Sequence, residues 1–394
     1  MSPTMWLIAI DEAGYGPKIG PLVVAATAWR REEPSSNVMR EDIGVSVDQI
    51  APDPFRDITK SVNVGKTAIR VDDSKQIFRG GALTTLHAVV SVSHHACGRT
   101  ESLLAERLPS ILPVDHENIE SVAWLQTLAG PPSGLIEFVP ASQTQAAVDQ
   151  WARCEWEIVD VAARMVDAKS FNRFCGGEGD LPPRGNKSDL LGETSIRLAV
   201  DLLDQVTRAA KKRKPIKSRN TSTKRRTGDD SVASQACDDE PVQIFFDRHG
   251  GRRYYAGMIQ EIFGGEPVKI ISESKTQSVY ETKRGALPVR LHFTVKGDRF
   301  VPVALSSLHA KYLRELAMAS LNGYFRDAML SYNQGRSRGK AAKQSRKAKT
   351  GGTSTISEFR PTAGYPVDAD RFIEMIRPVM VSLGIEDSHL IRSR

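Results

Sequence analysis

Four acidic residues hold the chemistry open to this chain. Asp11 and Glu12 close an apolar run at residues 6–10, and a glycine-punctuated loop follows, Gly14-Tyr15-Gly16-Pro17-Lys18-Ile19-Gly20. Asp247 closes a second apolar run, at residues 242–246, and Glu315 lies beside the apolar stripe of a helical stretch. Carboxylates that converge repel, and neither ionises easily without a counter-charge. A divalent cation supplies that charge, and hard carboxylate oxygens suit magnesium or manganese. Such a cluster can hold two ions about 3.5–4 Å apart, which suits in-line attack on a phosphodiester. Plainer readings stand beside these. Asp11 and Glu12 could be a solvated strand end, Glu315 a solvated helical residue, and Asp72-Asp73-Ser74-Lys75 an ordinary helix N-cap.

The elements that must position these acids can be read from the apolar pattern. Short apolar runs bounded by Gly and Pro read as buried strands. Asp11 then sits at a strand end. Side chains alternate along a strand, so Glu12 converges with Asp11 only if it lies just past that end, where Gly14 and Gly16 let the chain turn. Residues 22–29 form the second strand of a meander, and 242–247, 268–272 and 291–295 read as further strands. Helices are expected at 81–90, 148–166 (with Trp151, Trp156 and Val159 as core), 190–206, 258–263, 303–325 and 368–383. In the helix at 303–325, Leu305, Leu308, Tyr312, Leu316 and Ala319 recur at intervals of three and four. The order is α/β, and neighbouring parallel strands would bring Asp11 and Asp247 to one sheet edge. Rival phosphate loops fail on spacing: the Gly14 loop has one residue too many for GxGxxG, and there is no GxxxxGK[ST].

With 394 residues the chain exceeds one minimal domain, and 40% hydrophobic residues suffice for a sizeable core. A net charge of +7 favours a polyanionic partner without establishing one. The four cysteines (Cys97, Cys154, Cys175, Cys237) form no CxxC pair, which argues against a disulfide framework and a zinc site and for a reducing compartment. No apolar run reaches the ~18 residues of a membrane span and the N-terminus lacks a secretory pattern, so a cytoplasmic monomer is expected. Lys211-Lys212-Arg213-Lys214 through Lys224-Arg225-Arg226 is a basic block followed by acids, read as a disordered surface loop or a phosphate-attracting arm. Residues 335–353 form a second basic stretch, read as a mobile loop.

Residues 11–26, DEAGYGPKIGPLVVAA, resemble the opening signature of the ribonuclease H type 2 enzymes (ribonuclease HII), with an Asp-Glu pair, a Gly-Arg-Gly loop and a Gly-Pro-Val-Val-Ala-Ala strand. Asp73-Ser74-Lys75 matches that family's Asp-Ser-Lys, and Asp247 falls on the strand of its third acid. Lys296-Gly297-Asp298 and Ser307-Leu308-His309-Ala310-Lys311-Tyr312-Leu313-Arg314-Glu315 follow its Gly-Asp turn and Lys-x-x-Arg-Asp helix. Gly364-Tyr365 and the tail His389 to Ser393 resemble its C-terminal pieces. The matches fall in order from residue 6 to residue 393. The resemblance implies a ribonuclease H-like mixed sheet flanked by helices: a core at 1–330 with insertions at about 30–64 and 91–190 and a loop at about 208–240, then the basic loop at 331–353 and a helical C-terminal segment at 354–394. It implies endonucleolytic cleavage of RNA in RNA–DNA hybrids, or on the 5′ side of ribonucleotides embedded in duplex DNA. Asp11, Glu12, Asp247 and Glu315 would hold two Mg2+ or Mn2+ ions, one activating water and the other stabilising the leaving 3′-oxygen. Backbone groups of Gly14, Tyr15 and Gly16 would read the ribose 2′-OH, Lys75 would contact a phosphate, and Tyr365 would stack on the next sugar. Tyr15 stands where the family has Arg, Glu315 where it has Asp, and Arg248-His249 precede Gly250 where the family has Gly directly. These departures admit a second reading, a member that binds nucleic acid and cleaves weakly or not at all, and a third, a nuclease of the same superfold acting on branched DNA. Survival of all four acids ranks cleavage of RNA-containing duplexes first.

Overall fold

The computed structural model describes residues 4–32, 54–73, 77, 83–128, 136–213, 241–344 and 359–393. Strands β1 (Thr4–Ala13) and β2 (Leu22–Glu32) pair antiparallel from Thr4↔Glu32 to Ala13↔Val23. Next come α1 (Arg56–Thr59), a small hairpin of β3 (Val62–Val64) and β4 (Thr67–Ile69), and helices α2 (Leu83–Ala96), α3 (Leu104–Ile111), α4 (His116–Ser121) and α5 (Ala141–Trp151). Strand β5 (Glu157–Val166), α6 (Ala168–Gly176) and α7 (Lys187–Arg213) lead to β6 (Val242–Asp247). The chain continues through α8 (Ala256–Ile262), β7 (Lys269–Glu273), β8 (Gln277–Arg284), β9 (Leu287–Thr294), α9 (Val301–Gln344), α10 (Pro366–Leu383) and α11 (Asp387–Leu390).

Seven strands form one mixed sheet in the order β5-β2-β1-β6-β9-β8-β7, with β1, β6 and β9 mutually parallel. The period-two alternation of a strand explains the two layers. Leu7 and Ala9 of β1, Val23, Ala25 and Trp29 of β2, and Phe245 of β6 point into a core shared with α2 and α9. Ile8 and Ile10, Val24 and Ala26, and Ile244 and Phe246 point into the other core, beneath α7 and α8. Helix α9 is locked to the first face by polar contacts as well: Ser306 Oγ donates to the Ala9 carbonyl at 2.8 Å and lies 3.0 Å from Thr27 Oγ1. Among the described residues no helix is long and apolar enough to cross a membrane.

The expected mixed α/β sheet with flanking helices and a helical C-terminal segment is present. Three element assignments are corrected. Residues 148–166 are not one helix: α5 ends at Trp151 and β5 starts at Glu157. There Val161, Ala163 and Met165 alternate into one core, Ile158 joins them across a bulge, and β5 pairs with β2. The stretch 335–353 is not loop throughout, because α9 runs on to Gln344; residues 345–353 lie outside the described residues. Strand β8, absent from the sequence reading, pairs with both β7 and β9. Of the basic block near 208–240, Lys211, Lys212 and Arg213 end α7 and 214–240 lie outside the described residues.

The C-terminal segment is stitched to the loop after β1. The Gly364 carbonyl accepts from the Lys18 and Ile19 backbone N–H groups at 2.7 and 3.2 Å. Gly364 has φ 88°, and a Cβ there would come within 2.3 Å of the Ile19 carbonyl oxygen. Gly364→Ala is therefore expected to destabilise the fold by about 2 kcal/mol or more, read as a lower denaturant midpoint; an unchanged midpoint would show that this stitch does not contribute.

Candidate active site

The parallel register of β1 and β6 runs from Leu7↔Gln243 to Ile10↔Phe246. One step further sets Asp11 opposite Asp247, both on the side of the sheet that faces α9. Asp11 is buried. Its carboxylate accepts from the Glu12 backbone N–H at 2.8 Å and hydrogen-bonds the Ser307 hydroxyl on α9. Asp247 Oδ1 accepts from the Gly297 N–H at 2.7 Å. That contact depends on the turn between β9 and α9. Lys296 adopts φ 60°, the one non-glycine residue with positive φ among the described residues. A Cβ on Gly297 would sit 3.0 Å from the Asp247 Cα, so glycine lets the turn close on the acid.

Glu12 is not past the strand end, as the alternation argument required. It lies inside β1, paired with Val24 of β2. The strand that ends early is on the other side: β6 no longer pairs with β1 after Ile10, so the β6 flank of Glu12 is open. Its carboxyl interacts with that of Asp11. Burial first, then the Glu12 and Asp247 charges, hold the Asp11 pKa well above the usual carboxylate range. Burial and Asp247 push Glu12 from 4.5 to about 7. Three of the four expected acids therefore act on one another. Glu315 stands apart from that mutual effect: it is on α9 two turns beyond Ser307, with Oε1 at 3.7 Å from Lys311 Nζ and 3.6 Å from Arg314 Nη1. The donor chemistry suits a hard divalent ion. Yet among the described residues no group of three His, Cys, Asp or Glu side chains is gathered as ligands in this conformation.

The glycine loop borders these acids. Tyr15 feels the Glu12 charge, and Gly250, in the turn after β6, lies against its ring. Tyr365, 56% exposed at the start of α10, stands beside Gly16 and near the Arg314 guanidinium. Lys75 lies outside the described residues. Sequence reasoning missed the groups that hold the loop. Arg314 is buried and donates to the Ala363 carbonyl at 2.8 Å. Arg392 is buried and donates through Nη2 to the Gly14 and Pro17 carbonyls. Its own N–H bonds the Lys18 carbonyl. Arg314 and Arg392 lay within the motifs quoted above, but nothing local in sequence points either side chain at Gly14.

No family model matches the chain, and no curated protein sequence matches it. Among solved structures it is similar to RNase HII in its complex with PCNA from Archaeoglobus fulgidus, at 13% identity and TM-score 0.35 over 99% of this chain and 95% of that one. It is similar to ribonuclease H2 from Pyrococcus horikoshii OT3 at 13% identity and TM-score 0.34, over 98% and 92%. Bst-RNase HIII in complex with Mn2+ aligns at 13% identity and TM-score 0.29, over 82% of this chain and 55% of that one.

The raised acids set a pH dependence. Glu12 keeps its proton to higher pH in the folded chain than in the unfolded one, so stability falls as pH rises from 4.5 through about 7. Below that window both states are protonated and the acid costs nothing. Glu12→Gln should stabilise the protein at pH 8 by about 2 kcal/mol, allowing for its partial exposure, with the gain vanishing near pH 4. Asp11→Asn should act in the same direction. Unfolding midpoints for the variants and wild type at pH 4, 6 and 8 check this; parallel profiles would contradict it.

Proposed function

We propose that this chain is a metal-dependent ribonuclease H, an endonuclease that cuts the RNA strand of RNA–DNA hybrids or the 5′ side of ribonucleotides embedded in duplex DNA. The observation that carries the reading is the juxtaposition of Asp11 and Asp247 on adjacent parallel strands with Glu12 against them, where the strongest charges acting on Asp11 and Glu12 are other carboxylates. Asp11, Glu12 and Asp247 would hold Mg2+ or Mn2+, with Glu315 completing the set. Two bound ions would supply Lewis acidity toward a phosphodiester and its attacking water.

The remaining work falls to the chain itself. Gly14, Tyr15 and Gly16 would present backbone groups to a ribose 2′-OH, the feature that separates RNA from DNA. Their shape is maintained by Arg392 on the Gly14 and Pro17 carbonyls. Tyr365, exposed beside Gly16, would stack on the following sugar. Lys75 would meet a phosphate. A second reading, binding without cutting, draws on the pairing of Glu315 with Lys311 and Arg314 and on the open arrangement of the acids.

Incubation with Mg2+ and a DNA duplex bearing one ribonucleotide separates the readings. Cleavage 5′ to the ribonucleotide, abolished by Asp11→Asn, is the expected result. Salt-sensitive binding without cleavage would favour the second reading, and cutting of all-DNA junctions a nuclease for branched DNA. Glu315→Asp should retain activity and Glu315→Ala lose about a hundredfold or more, near 2.7 kcal/mol of transition-state stabilisation. An undiminished alanine variant would remove Glu315 from the mechanism. Mn2+ should also raise the unfolding midpoint of wild type and not of Asp11→Asn; equal shifts would place the ion elsewhere.

A further inference from the structure

We propose that Lys187 is a phosphate-contacting residue: its ammonium, seated over the Tyr15 ring beside the glycine loop, receives a backbone phosphate of the nucleic acid next to the acidic cleft. The identity of the ligand rests on the nuclease reading; the presence of a poised cation does not. Lys187 opens α7, and its Nζ lies 4.2 Å from the centroid of the Tyr15 ring. Among the described residues no carboxylate lies within ion-pair distance of it. The acid two residues on, Asp189, is taken by Arg252 at 2.5 Å. An ammonium held by an aromatic face rather than by a carboxylate keeps its three donors for a ligand.

The amide groups at the start of α7 are not the ligand site. Asn186 Oδ1 already accepts from the Ser188 and Asp189 N–H groups at 2.8 and 3.1 Å. The side chain of Lys187 is the available donor, and the positive end of the helix adds to its field. A second, independent observation lies behind the loop. Arg392 is 3% exposed, and its Nε and Nη1 have no hydrogen-bond partner among the described residues. Its guanidinium is 5.1 Å from the Phe171 ring centroid, with no carboxylate in ion-pair contact. Two cations without acids thus flank one loop, and burial and then Arg392 lower the Lys187 pKa, a strain that an anion would relieve. The nearby acids give such a group a role. The negative charge that Asp11, Glu12 and Asp247 retain repels a polyanion, and a cation beside the glycine loop offsets that repulsion.

Fluorescence anisotropy with the ribonucleotide-bearing duplex in EDTA, over a range of salt concentrations, tests the proposal without catalysis. Lys187→Ala should weaken binding about tenfold at 0.1 M salt and lower the slope of log K against log[salt] by about 0.9, one phosphate contact. Lys187→Arg should restore both. Lys283→Ala, which removes an exposed lysine of β8, serves as the control and should leave the slope alone. An affinity and slope for Lys187→Ala equal to those of wild type would overturn the proposal, whatever the enzyme cleaves. Lys187-dependent binding by a wild type that does not cut with Mg2+ would keep the contact and retire the nuclease. If inorganic phosphate raises the unfolding midpoint through Lys187 while duplex binding ignores it, the lysine serves a small anion and the proposal fails.

Discussion

Two carboxylates on neighbouring parallel strands, forced onto one face by register, dominate this molecule. Asp11 and Asp247 cannot move apart without slipping β1 against β6, and a slip of one residue would turn the Ile8, Ile10, Ile244 and Phe246 side chains out of their core. The hydrophobic pattern therefore enforces an electrostatic liability. Neutral donors meet these carboxylates: the Glu12 N–H and Ser307 hydroxyl on Asp11, the Gly297 N–H on Asp247. Neutral donors stabilise a carboxylate without filling the place of a metal ion.

Cations are present nearby but are placed one layer out. Arg314 and Arg392 are buried against carbonyls of the loop and its neighbours, and Lys187 rests on Tyr15. A buried guanidinium that donates to backbone carbonyls braces a loop with no regular secondary structure of its own. The bridge between Ile19 and Ile391 and the Gly364 carbonyl bonds complete that bracing. The glycine loop is thereby tied to Gly364 and to Ile391 and Arg392, with Arg314 of α9 against Gly14.

The strands that carry the acids were legible because each is a short apolar run that stops at a charge. Their adjacency was legible as a possibility, since parallel neighbours are the simplest way to unite Asp11 with Asp247. The edge elements were less so. Strand β8 turns Ser278, Tyr280 and Thr282 inward, so no apolar run marks it. Strand β5 follows α5 after a short turn, and the spacing of Trp151, Trp156 and Val159 across that junction fits a continuous helix. Helix α9 continues through Gly335, a residue that composition alone reads as a break. The bracing arginines were illegible for a different reason: Arg392 meets Gly14 across 378 positions, and only the folded chain brings them together.

Glu315 is the acid that the fold sets apart from the other three. On α9 it lies eight residues beyond Ser307, a rise of about 12 Å, but helical side chains lean toward the N-terminus, here toward the end of α9 that meets Asp11. Its two ion-pair contacts, at 3.7 and 3.6 Å, are long. Pairs of that kind on a partly exposed carboxylate contribute about 0–1 kcal/mol. Lys311 and Arg314 thus hold Glu315 lightly, while Arg314 keeps its bond to the Ala363 carbonyl whether or not the glutamate stays. Glu315 thus differs from Asp11, Glu12 and Asp247: its neighbours are cations on its own helix, while theirs are one another.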